Sequence, residues 1–175
     1  MDDARPTIEE LQAALEKSRA ETRGAFENRA LMYSHLYEEL LPVLGREETV
    51  ALMKRAIYRR GLDVGRKYRE AAQAGDLDEV GNIFCSGSPC AGGLFDPGVE
   101  EGSDGRIVLR MPSCPLIEAW SAAGLPAGEI DTLCEIAAAV DEGTFDGAGL
   151  DLQFLSRLGA GDDMCLLDLR VPTAK

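Results

Sequence analysis

Apolar residues recur at steps of three and four through the first half of the chain and at steps of two near its end. The pattern therefore predicts helices first and a small sheet last. Thr7-Ile8-Glu9-Glu10 is a capping-box sequence, with Ile8, Leu11 and Leu15 following at helical spacing. A helix over 25–44 carries Phe26, Tyr33, Leu36, Tyr37, Leu40 and Leu41, and Pro42 and Gly45 close it. The spacing of Val50, Met53, Ile57, Gly61, Val64 and Tyr68 predicts a second long helix over 47–74. Gly61 and Gly65 each lower helix propensity by about 1 kcal/mol relative to alanine, which points to another element approaching closely there. Asp76-Leu77-Asp78-Glu79 then starts a helix that runs to about Phe84.

From Ser86 to Gly105 the chain is rich in Gly, Pro, Ser and Asp and loses its periodicity, so a long loop is expected, either a lid or a connector. Arg106 to Met111 alternates polar and apolar as a half-buried strand that Pro112 ends. Helices are expected over 115–123 and 127–141, separated by Gly124-Leu125-Pro126. Two strands follow, 150–158 and 164–171, joined by a turn at Gly159-Ala160-Gly161-Asp162-Asp163. In the last strand Cys165, Leu167, Leu169 and Val171 share one face, while Asp168 and Arg170 take the other. A three-stranded sheet covered by the 127–141 helix would bring Cys165 against Cys134.

Composition narrows the function classes. A chain of 175 residues with 45% hydrophobic side chains supports one good core and is short for two ordinary domains. The net charge of −13 argues against non-specific nucleic-acid binding, which needs a basic footprint, and favours a small-molecule partner. No apolar run approaches the roughly 20 residues of a membrane helix, and the acidic start Met1-Asp2-Asp3-Ala4 is unlike a signal peptide, so a cytoplasmic protein is expected. Five cysteines, an odd number, read as reduced thiols or ligands rather than a disulfide framework. His35 is the single histidine, placed among Leu31, Met32 and Leu36 as a packed helix residue. With one imidazole in the chain, thiol or carboxylate chemistry remains.

Arg29-Ala30-Leu31-Met32-Tyr33, Arg60-Gly61-Leu62-Asp63-Val64-Gly65, Cys114-Pro115, Leu133-Cys134 and Gly161-Asp162 with Cys165 form a series of short motifs. Over about 25–172 this series resembles the L-2-amino-thiazoline-4-carboxylic acid hydrolase family. The C-terminal layout is also similar to the 4-vinyl reductase ligand-binding domains. Both resemblances imply an α+β fold: an N-terminal helical layer packed with a small antiparallel sheet and covering helices. Residues 1–24 then form a helical extension and 25–175 a single domain. The family resemblance further implies hydrolytic opening of a small heterocycle at a carbon–nitrogen bond, with no cofactor.

A thiolate suits attack on an amidine-like carbon. Cys134 is the first choice of nucleophile, beside Glu135 and one turn after Asp131, whose carboxylates offer proton transfer. Cys114 would lie near a helix N-terminus, where the dipole favours a thiolate. Asp162, close to Cys165, is a candidate general base or a turn-forming aspartate. A rival reading makes Cys114, Cys134 and Cys165, with Cys85 or Cys90, thiolate ligands of zinc or an iron–sulfur cluster. The bland reading buries each thiol as a small hydrophobe. Arg55, Arg59 and Arg66 fall on one helical face, where they would hold a substrate carboxylate or pair with Glu47, Glu48 and Glu70 on a solvated surface. The apolar N-terminal helices suggest a homodimer. A hydrolase and a ligand-binding or sensor module both stay open, and a reactive thiol facing a pocket would separate them.

Overall fold

The computed structural model describes residues 5–100 and 105–172. Helix α1 (Ile8–Gly65) begins at the expected capping box: the Thr7 hydroxyl accepts the Glu10 N–H, and the Glu10 carboxylate accepts the Thr7 N–H. The expected break after Pro42 is a kink, not a loop. Gly45 adopts φ 75° and ψ 166°, a conformation open to glycine, and divides α1 into two limbs. From Ile8 to Glu21 every residue of α1 is exposed, and the first side chain fully buried on it is Ala30.

The second limb stops short of the predicted Ala74. A 3-10 turn (Arg66–Tyr68) leads into a short helix, α2 (Arg69–Ala74), and this change of direction sinks Tyr68, Ala71 and Ala72 into the core. Helix α3 (Leu77–Ser86) is capped by Asp76, whose carboxylate accepts the Glu79 N–H at 3.0 Å.

The segment expected to be a long loop holds a strand, β1 (Gly98–Glu100), which pairs antiparallel with β2 (Arg106–Met111). With only three residues it is too short for a period of two to announce itself. Helices α4 (Pro115–Ala122) and α5 (Ala127–Ala148) follow, then β3 (Asp151–Ser156) and β4 (Cys165–Arg170). Among the described residues the sheet has four antiparallel strands in the order β1-β2-β4-β3, one more than expected, so the α+β reading holds with a wider sheet. The β3–β4 connection is also longer than a tight hairpin and contains a 3-10 turn at Leu158–Ala160. On the outer face, Asp168 is 1% exposed because Arg170 and Arg106 close over its carboxylate at 2.5 Å and 3.6 Å.

Two apolar clusters fill the interior. One lies under the sheet and joins Ile107, Leu109, Leu167 and Leu169 to Tyr68, Val80 and Phe145. The other lies among α1, α4 and α5 and centres on Trp120, Leu133 and Ile136. The indole N–H of the wholly buried Trp120 donates to the Ala30 carbonyl at 2.7 Å, tying α4 to α1.

Helix α5 runs past the predicted Asp141 because Gly143 and Gly147 serve contact there rather than termination. The glycines of α1 meet those of α5 at backbone distance. A Cβ placed on Gly61 would lie 2.3 Å from the Val140 carbonyl oxygen, and one on Gly143 would lie 2.1 Å from the Tyr58 carbonyl oxygen. Gly65 is equally close to the Thr144 carbonyl, so the paired spacings 61/65 and 143/147 form one crossing. We expect Gly143→Ala to force the helices apart and lower the melting temperature by roughly 6 °C or more. Gly24→Ala, at a helical site with nothing within 4 Å of the new Cβ, should leave it unchanged or raise it slightly. Equal melting temperatures for the two variants would show that the crossing tolerates separation.

Candidate active site

The two clusters do not meet completely. Between them is a cavity of about 230 Å³, bounded by α5, the start of α4, the ends of β2 and β4, and the 87–97 segment. Its α5 wall is a single helical face on which Cys134, Ala137, Ala138 and Asp141 follow at steps of three and four. The two alanines leave the space that larger side chains would fill. Cys114, Cys134 and Cys165 all line this cavity, although they come from a strand–helix junction, a helix and a strand. The 87–97 part of the segment expected as a lid or a connector forms a wall of the cavity: Leu94 is buried, its carbonyl accepts the Ser113 hydroxyl at 3.0 Å, and Phe95 packs edge-on against Phe26 at 5.4 Å.

Each thiol is set by local backbone. Cys114 is the N-cap residue of α4, and Pro115 at the first helical position fixes its extended conformation. Cys165 opposes Met111 at the end of the inner sheet row, and its sulfur accepts the Leu158 N–H at 3.4 Å. Cys134 faces Gly159 so closely that a Cβ there would lie 2.6 Å from its sulfur. Burial dominates their electrostatics. It pushes the Cys114 thiol up to about 11 and the Cys165 thiol up to about 12, and raises Cys134 as well. The N-terminal dipole of α4, expected to favour a Cys114 thiolate, is outweighed by desolvation. At neutral pH all three groups are protonated thiols, and Cys134 is the one whose sulfur has a cation, Arg157, acting against the burial.

Asp141 is the cavity residue that sequence reasoning missed. Burial, aided by Glu142 and opposed by Arg29, raises its carboxyl to about 7, so it exchanges a proton near neutrality. Its spacing of seven from Cys134 puts it two turns along on the same face, and that was the signal available in the sequence. Three cations line the cavity with it: Arg29, Lys67 and Arg157.

Several predicted site residues lie elsewhere. Glu135 is exposed on the other side of α5 and pairs with Lys54 at 3.2 Å, so it does not line the cavity. Asp162 is exposed and accepts the Arg157 backbone N–H at 2.8 Å, the turn-forming alternative. Arg55 and Arg66 pair with Glu48 and Asp63 at the surface, and Arg59 borders a shallow groove with Lys54 and Tyr58. None of the three arginines lines the thiol cavity. His35 is exposed beside Glu38 at 3.3 Å instead of packed, because the inward side of its helical turn is taken by Ser34 and Tyr37. All five cysteines are free, and Cys85 and Cys90 lie outside the cavity wall. Among the described residues no group of three His, Cys, Asp or Glu side chains is arranged to hold a metal ion. No helix among them is long and apolar enough to cross a membrane.

The fold and the cavity define an α+β domain with a thiol-lined cavity between its two apolar clusters. The sequence pattern of the L-2-amino-thiazoline-4-carboxylic acid hydrolases matches residues 25–169, and the chain belongs to that family. Residues 8–24 of α1, exposed up to Glu21, precede the match. No curated protein matches the chain. A solved structure of a trafficking protein particle complex subunit 3 from Naegleria fowleri, covalently bound to palmitic acid, superposes with a TM-score of 0.57. It is 13% identical, with 85% of this chain and 96% of that one covered, so the likeness is one of fold.

The raised carboxyl of Asp141 has a stability consequence with a definite sign. Between pH 4 and 7 the unfolded chain has released this proton while the folded chain still holds it, so stability falls as pH rises through that window. The cost is complete above about pH 7 and reaches about 4 kcal/mol. We expect Asp141→Asn to be more stable than the parent at pH 8 and to lose that advantage near pH 4, as read by denaturant melts at both pH values. A pH-independent difference would place the carboxyl in ordinary solvent.

Proposed function

We propose that this chain is a hydrolase of a small cyclic substrate with an amidine-like carbon, bound in the thiol-lined cavity. The observation that supports the reading most is the convergence of Cys114, Cys134, Cys165 and Asp141 on one chamber. Family membership supplies the reaction class, hydrolysis, and the apolar walls suit a compact ring. The residues then divide the work. A cavity cation, Arg29, Lys67 or Arg157, holds an anionic substituent of the substrate. Ionised Asp141 takes the proton from a thiol through an intervening water as that sulfur attacks the amidine-like carbon, which replaces the free thiolate that burial disfavours. The proton passes to the departing nitrogen as the ring C–N bond breaks. Water then hydrolyses the carbon–sulfur bond of the covalent intermediate and returns the hydrogen to sulfur, so one water is consumed per ring opened.

This division of labour predicts that turnover rises with pH through about 7, as Asp141 ionises. The test is ring opening of 2-amino-thiazoline-4-carboxylate by the purified protein, followed with single serine variants of the three cysteines and with Asp141→Asn. We expect one serine variant and the Asn variant to lose at least about a hundredfold in kcat while melting within a few degrees of the parent. Full activity in all three serine variants would remove the thiol from the mechanism.

A second reading rests on the apolar walls and protonated thiols: a chamber that stores an apolar ligand instead of turning one over. The structural neighbour, which is covalently bound to palmitic acid, supports it by fold alone. Absence of ring opening together with uptake of a fatty acyl chain by the wild-type protein would favour this reading.

A further inference from the structure

We propose that Arg157 is the positioning residue that singles out Cys134 as the reactive thiol, by holding a guanidinium N–H against the charge that develops on its sulfur. The inference rests on the hydrolase reading for its purpose but not for its geometry. Arg157 lies in the β3–β4 connection and is fixed twice: its backbone N–H donates to the Asp162 carboxylate at 2.8 Å, and its Nη2 donates to Asp131 Oδ1 at 3.0 Å. Asp131 is three residues before Cys134 on α5, so the ion pair carries the guanidinium over the turn that bears the thiol. Gly159, two residues after Arg157, closes on Cys134 at a separation that excludes any side chain. The connection is therefore pressed onto this cysteine.

The remaining nitrogen supplies the function. Arg157 Nη1 is buried and has no hydrogen-bond partner, one of three such side-chain atoms among the described residues. A buried guanidinium N–H without an acceptor is costly, and a neighbouring anion relieves that cost. Neutral thiol is a weak acceptor; thiolate is a strong one. The arrangement thus favours the transition in which Cys134 gives up its proton. All three thiols face backbone amides, Cys134 that of Gly159, Cys165 that of Leu158 and Cys114 those of Leu116 and Ile117, but Cys134 alone among them adds a guanidinium. The charged or titratable groups around Cys134 are Arg157 from the connection, Asp131 and Asp141 from α5, Arg29 and Lys67 from the α1 side, Cys114 from the α4 start and Cys165 from β4. Of the three cations, Arg157 is the one anchored beside the sulfur.

The experiment is iodoacetamide alkylation of the full chain between pH 6.5 and 9.5, with each cysteine followed by peptide mass spectrometry. In the wild-type protein Cys134 should alkylate ahead of Cys114 and Cys165; faster labelling of either would overturn the proposal without any variant. Arg157→Gln should slow Cys134 about tenfold at pH 7.5 and move its pH profile up by about one unit, while Arg157→Lys, which keeps the charge but not the fork that reaches Asp131 and the sulfur together, should fall between the wild type and Arg157→Gln. An unchanged Cys134 profile in a folded Arg157→Gln would also overturn it. Failure of the hydrolase reading looks different: Cys134 would keep its Arg157-dependent reactivity while the ring-opening assay stayed silent. Conversely, turnover lost in Cys134→Ser but an Arg157-independent alkylation profile would leave the hydrolase standing and remove Arg157 from its activation.

Discussion

The contact on which the rest of this structure depends is the crossing of α1 and α5 through Gly61, Gly65, Gly143 and Gly147. Here two helices approach until backbone meets backbone, closer than any side chain permits. That approach fixes the height and rotation of α5. Rotation then decides which α5 residues look away from α1, and Cys134, Ala137, Ala138 and Asp141 lie together on the face turned to the cavity. The sheet can bring β4 and Cys165 to the same space only because Phe145 and Ala148, farther along α5, pack into its inner face. Fold and site share a determinant, with glycines on one side of a helix and chemistry on another.

Desolvation sets the character of the site. It keeps three thiols protonated and one carboxyl near neutrality, which reverses the roles that exposed groups of these types would have. A free thiolate here would need compensating charge, and of the three thiols Cys134 is the one with a cation, Arg157, acting against its burial. A carboxyl that ionises near pH 7, Asp141, lines the same chamber. The titratable and charged groups of the cavity therefore include residues seven apart on one helix and a guanidinium brought from a distant loop.

The resemblance drawn from short motifs located the family, and the three cysteines it contained do converge. Of the partners proposed for them from sequence adjacency, Asp131 stays near Cys134, paired with Arg157, while Glu135 and Asp162 do not join them. Glu135 follows Cys134 directly, and on a helix that places it about 100° away, in solvent. Asp162 is near Cys165 along the chain yet serves the backbone of Arg157. Arg55, Arg59 and Arg66 share a face, but it is a surface face with acidic neighbours. Strand β1 was too short to carry a pattern, and the helix expected over 127–141 continues to Ala148, with Gly143 and Gly147 as a contact surface.

The sequence alone determined the elements whose information is local: the capping box at Thr7, the break at Gly45, the alternation in β2 and β4, and the close approach promised by Gly61 and Gly65. These follow from hydrogen bonding within a turn and from side-chain period, which need no distant partner. Only the tertiary structure decided where the helix crossing falls, how deeply each thiol is buried, and that Asp141 and Arg157 belong to the site. Those properties depend on how much protein surrounds a group from several directions, and desolvation of that kind is a sum over the whole fold that no stretch of chain contains.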